Sequence, residues 1–163
     1  MTIPTVRRAP ESRTYVASGT VVAAAGTAIE IIGGAAATTG TRVEVLSIVI
    51  SKPSVAATIT IQKRSAACTG GTSSTATVVP ADSGDAAFGG SIKLYTVDPT
   101  EGTNVGEIGR ATTLQASETA TWTFGDATFG QKPIELLTAA EVVTIMTDTA
   151  ATLTFRIVLK ERN

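Results

Sequence analysis

The sequence predicts an all-β chain: an antiparallel β-sandwich, jelly-roll-like, with an extended N-terminal arm. Three observations predict it. Several runs alternate apolar and polar residues with a period of two. Thr, Val and Ile, whose branched Cβ atoms favour the pleat over the helix, dominate those runs. Most of the 15 glycines and 6 prolines fall between them, as turn chemistry requires. At 163 residues the chain is about one domain, long enough to bury an apolar core without disulfide or metal staples.

Residues 1–13 read as the arm and residues 14–163 as a single sandwich domain. The arm carries Pro4 and Pro10, sets Arg7, Arg8 and Arg13 against Glu11, and has no periodic apolar pattern. Such a segment reads either as a frayed solvated tail or as an arm that gains order when something, such as a neighbouring subunit, holds it. No apolar run follows its basic residues, so no targeting leader is expected. Residues 15–32 come nearest to a membrane span, but they are built of Ala, Gly, Thr and Ser and are interrupted by Glu30. No membrane span is expected there.

The strands follow in order. In 42–51, Val43 and Val45 share one face while Leu46, Ile48 and Ile50 share the other. That change of parity predicts a bulge, or a strand buried on both sides. Residues 58–63 alternate cleanly, with Ile59 and Ile61 inward. So do 91–97, and 119–124 with Ala120, Trp122 and Phe124 on one face. The clearest strand is the last, where Leu153, Phe155, Ile157 and Leu159 alternate with Thr154, Arg156, Val158 and Lys160. Helical signal is thin. Thr138 and Glu141 match a capping box, but a short β-branched run follows, which predicts a turn entering a strand. Residues 65–90, rich in Thr, Ser, Ala and Gly, are the longest irregular stretch; a loop of that length is usually functional. About eight to ten strands in two packed sheets fit a chain of this size.

The composition also narrows the function. There is no histidine, the commonest general base and metal ligand. A single cysteine, Cys68, can form neither an intrachain disulfide nor a Cys-based zinc site; it reads as a small residue made in a reducing compartment. A net charge of -1 argues against neutralising many phosphates, so no nucleic acid is expected as partner. Between 65 and 109 Asp82, Asp85, Asp98, Glu101 and Glu107 face one base, Lys93. Asp82-Ser83-Gly84-Asp85 lacks the ligand spacing of a calcium loop and reads as a turn. Gly70-Gly71-Thr72 and Gly89-Gly90 lack P-loop spacing, and no Ser or Lys sits in a nucleophile motif. No catalytic residue, cofactor or metal is therefore expected, and the chain is read as not an enzyme. Trp122 reads as a core filler rather than a sugar platform, because aromatic residues make up only 4% of the chain.

A series of short motifs adds a resemblance. Lys63-Arg64-Ser65, Thr69-Gly70-Gly71-Thr72 and Val79-Pro80-Ala81-Asp82-Ser83-Gly84-Asp85 come first. Leu94-Tyr95-Thr96-Val97-Asp98-Pro99-Thr100, Val105-Gly106-Glu107-Ile108-Gly109-Arg110, Trp122-Thr123-Phe124-Gly125-Asp126 and Lys132-Pro133-Ile134 follow. In that order, over roughly 58–160, the chain resembles the small head structural proteins of tailed bacteriophages that are similar to capsid decoration (cement) proteins. Residues 1–40 have no counterpart in the resemblance. It implies a β-sandwich that docks on an assembled shell of major capsid protein, often as a homotrimer, with no catalytic residues.

The expected function is thus that of a virion structural protein. It would bind the outside of an assembled phage capsid and cement neighbouring major capsid protein subunits, after synthesis in the host bacterial cytoplasm. Arg7, Arg8 and Arg13 are the expected partner contacts, laid on acidic capsid surface. The alternatives are a head-fibre base, neck or tail structural component, and a carbohydrate-binding β-sandwich.

Overall fold

The computed structural model describes residues 12–34, 42–51, 53–125, 132–138 and 140–162. Its strands, in chain order, are β1 (Ser12–Ala23), β2 (Gly26–Ile32), β3 (Arg42–Ser51), β4 (Ala57–Arg64), β5 (Thr72–Thr75) and β6 (Val78–Pro80). They continue with β7 (Ser91–Val97), β8 (Asn104–Leu114), β9 (Thr119–Thr123), β10 (Ile134–Leu136), β11 (Val142–Thr147) and β12 (Ala151–Arg162). Two antiparallel six-stranded sheets pack face to face. One runs β10-β3-β12-β1-β6, with β9 also on β3; the other runs β5-β7-β2-β11-β4-β8.

The winding comes from four nested pairings: β1 with β12, β2 with β11, β3 with β9 and β4 with β8. Early strands paired with late ones in reverse order describe a long hairpin rolled on itself, the jelly roll. β5, β6 and β7 lie at the tip of that hairpin, between its innermost pair. The core sits between the sheets. Ile29, Ile31, Ile59, Ile61 and Ile145 meet Val43, Val45, Ile48, Ile50, Leu153 and Ile157, all fully buried. Each such side chain contributes about 1.5–3 kcal/mol on leaving water.

The parity change in β3 is a bulge. Val45 opposes Leu159 and Ser47 opposes Val158, so Leu46 is the extra residue. It resets the pleat, and Val43 and Val45 point into the core together with Ile48 and Ile50. The Leu46 carbonyl accepts the Phe124 N–H at 2.8 Å, which ties the bulge to the end of β9.

Two boundaries differ from expectation. Ser12 and Arg13 belong to β1, opposite Arg162 and Glu161, so the sheet starts inside the segment read as arm. Residues 65–90 are not irregular throughout: β5 joins β7 in one sheet and β6 joins β1 in the other. β5 is Thr-Ser-Ser-Thr, exposed at every position, so no alternation marks it. At 138–141 the Glu141 N–H donates to Thr138 Oγ1 at 3.2 Å and the Leu137 N–H to Glu141 Oε2 at 2.8 Å. β11 follows at once, as expected, and there is no helix among the described residues.

Candidate functional site

Among the described residues, two groupings of side chains bear on function. The first lies on the outer face of the β5–β8 sheet, under two loops. The loops, 65–71 and 98–103, are joined by paired Thr69 and Thr100 backbone bonds of 2.8 Å and by Ser65 N–H to the Thr103 carbonyl at 3.1 Å. Because Ile29 and Ile31 face the core, Glu30 between them must face outward, where the loops cover it completely. Its Oε1 accepts the Cys68 N–H at 2.6 Å, its Oε2 accepts the Tyr95 hydroxyl at 2.9 Å, and Lys93 Nζ stands 3.7 Å away. Arg64, at the end of β4 and also buried, forms an ion pair with Glu101. It donates to the Gly102 carbonyl at 2.8 Å and to Thr144 Oγ1 at 3.2 Å.

The start of β2 is fastened to the same loops. Asp98 Oδ1 accepts the Thr27 N–H at 2.9 Å, and the Thr27 hydroxyl donates to Glu101. Gly26 has a φ of +115°, and a Cβ there would fall 2.1 Å from Asp98 Oδ1. Only glycine satisfies both conditions.

This arrangement holds protons rather than releasing them. Burial, then the neighbouring Glu30 charge, pushes the Cys68 thiol up to about 12. Burial and Glu30 likewise raise the Tyr95 phenol. A thiol in that state is not a nucleophile, since the thiolate is the reactive form. No buried side-chain polar atom among the described residues lacks a partner. The cluster is chemically a clamp, tying two loops to a sheet.

Sequence reasoning passed over this clamp. Glu30 drew notice only as an interruption, yet an acid inside the apolar run Ala28-Ile29-Glu30-Ile31-Ile32 was the available signal. Cys68 is buried, and its backbone N–H donates to the Glu30 carboxylate.

The other expected sites fall elsewhere. Arg13 stands 3.7 Å from Asp85 of its own domain, whereas Arg7 and Arg8 lie outside the described residues. Asp82 builds a turn: its Oδ1 accepts the Gly84 N–H at 3.0 Å and its carbonyl the Asp85 N–H at 3.1 Å. Among the described residues no three His, Cys, Asp or Glu side chains are placed to hold a metal ion. No described helix is long and apolar enough to cross a membrane.

The second place is a groove of about 410 Å³ along the side of the sandwich where β8 and β9 approach each other. Ile108, Gly109, Arg110, Trp122, Thr123, Phe124, Lys132 and Ile134 line it. Trp122 opposes Ile48 across the β9–β3 ladder, half-buried against the core, and its indole N–H donates to the Arg110 carbonyl at 3.2 Å. A Cβ on Gly109 would stand 3.1 Å from Trp122 Cδ1, so the missing side chain lets the indole lie down on β8. Trp122 therefore fills the core's open side and also lines the groove. Arg110 and Lys132 are exposed beside it.

Set against protein-family models, curated proteins and solved structures, the chain finds no match in any of the three, so the fold and these two side-chain clusters are what its function must be read from.

Proposed function

We propose that this chain is a virion structural protein that binds the outside of an assembled phage capsid and cements neighbouring major capsid protein subunits. The observation that carries the reading is the clamp on the outer face of the β5–β8 sheet. The loops 65–71 and 98–103 hold parts of three of the motifs behind the phage resemblance. Glu30, Arg64 and Glu101 bind them down. The result is a stiff surface, suited to adhesion by shape. A jelly-roll winding is compatible with that role but hosts many others, so it adds little alone.

Symmetry does the remaining work. A shell repeats each contact many times, so modest affinity per copy suffices, and a homotrimer would add avidity. Arg7 and Arg8 supply positive charge ahead of β1 for an acidic capsid surface, while Arg13 is engaged within the domain.

Stoichiometry on purified virions of the encoding phage, measured by quantitative mass spectrometry against the major capsid protein, tests the reading. Copies in proportion to the shell subunits are expected. A handful per particle would place the chain at a neck, tail or head-fibre base instead, and absence from virions would end both readings. Deleting residues 1–11, which stops short of β1, is expected to leave thermal unfolding unchanged while lowering capsid occupancy. Unchanged occupancy would remove the arm from the mechanism.

A further inference from the structure

We propose that the groove between β8 and β9 is a docking site for a short acidic peptide segment that seats an apolar side chain on Trp122. The inference rests on the reading of the chain as an adhesive structural protein, and it names the chemistry of the partner.

The floor of the groove is apolar and fixed. Trp122 cannot swing freely, because its indole N–H is held by the Arg110 carbonyl and its ring lies on Gly109. Phe124, Ile108 and Ile134 complete a half-buried wall. A volume of about 410 Å³ accommodates an anchoring side chain with its neighbours. The rim is cationic. Arg110 and Lys132 are exposed and form no ion pair among the described residues, whereas Arg42, Lys63, Arg64 and Lys93 each have an acid partner. An apolar floor under unpaired cations is complementary to an apolar residue flanked by carboxylates.

Two other occupants fit less well. A neutral sugar displays many hydroxyls, and carboxylate or amide side chains usually receive them; among the described residues the lining contains none. An added β-strand would need the free edge of β8. There the Ala111 N–H is already taken by Glu107 Oε1 at 3.1 Å and the Arg110 carbonyl by Trp122. The peptide is held by side chains.

Trp122 is the only tryptophan, so its fluorescence reports on the groove directly. Random linear peptides displayed on phage would be selected on the intact protein, and the enriched sequences synthesised and titrated. Enrichment of an apolar residue between acids is expected, with a shift in Trp122 emission on binding. Affinity should fall about tenfold in Arg110→Gln/Lys132→Gln and weaken with added salt. Both substitutions are on exposed side chains, and matched thermal unfolding would show that the fold is kept.

No enrichment, or peptides that bind the double variant equally well, would overturn the proposal. So would an oligogalacturonate that shifts Trp122 emission at lower concentration than any selected peptide. If the chain coats virions yet no peptide enriches, this inference falls and the capsid reading stands. If peptides bind but virions lack the chain, the capsid reading falls and the groove remains a peptide site.

Discussion

The two faces of the β5–β8 sheet solve the same problem with opposite chemistry. On the inner face Ile29, Ile31, Ile59, Ile61 and Ile145 press on the facing sheet, and burial is its own reward. On the outer face Glu30, Arg64 and Thr144 are also buried, but burying them helps only because each has partners. An apolar contact degrades gradually when one methyl is lost. A buried polar contact fails abruptly when one partner is lost, because the other is left unsatisfied. The inner face therefore sets global stability, and the outer face sets whether two loops stay shut.

The largest expected effect is on the inner face. Ile61→Ala should cost about 3 kcal/mol of global stability by denaturant unfolding, with loop protection reduced only in step with the whole domain. Next comes Glu30→Ala, which strands the Cys68 N–H and the Tyr95 hydroxyl. About 2 kcal/mol is expected, and amide hydrogen exchange should accelerate in 65–71 and 98–103 well before the β1–β12 ladder. If exchange rose uniformly, the two faces would be a single cooperative unit and the contrast would be lost.

Alkaline pH probes the outer face without mutation. Cys68 in the folded chain keeps its proton up to about pH 12, whereas the unfolded thiol gives it up near its ordinary 9.0. The folded state binds this proton more tightly, so its contribution to stability is complete below pH 9 and is lost as the pH climbs toward 12. Tyr95, also raised, acts in the same direction at higher pH. Unfolding free energy measured across that window should decline, and Cys68→Ala should flatten the decline.

The smallest effect should come from Asp148→Asn. The Asp148 carboxylate accepts the Thr58 N–H at 2.7 Å, almost the length of the Glu30 bond to Cys68, and that backbone bond holds its carboxyl below the usual range. Asp148 is exposed, so a change within about 0.5 kcal/mol is expected in thermal unfolding. A larger loss would show that bond length, not burial, separates the two carboxylates.

The inner face was legible in the sequence and the outer face was not, for one physical reason. Alternation reports which side of a strand avoids water, and in β4 and β12 it located Ile59, Ile61, Phe155 and Ile157 correctly. The parity change in β3 left a bulge or burial on both sides open, and the structure has the bulge, with Leu46 as the extra residue rather than a face-mate of Ile48 and Ile50. Glu30 obeys the same alternation and so looks like an ordinary solvent-facing residue. That loops from forty and seventy residues away cover it depends on β7 pairing with β2 and β8 with β4, which no local pattern encodes. The groove was half legible: Ala120, Trp122 and Phe124 share one face by alternation, whereas Arg110 meets them only because β8 and β9 approach across the sheets, and Lys132 only because β10 joins β3 next to β9.

The twelve-residue ladder of β1 on β12 puts Ser12 opposite Arg162. Anything joined ahead of the first strand and anything joined behind the last therefore leaves the domain from one pole. A bulky group joined directly at Ser12 or at Arg162 would crowd the same neighbourhood, and a short linker between these two positions would suffice for a circular permutant opened elsewhere.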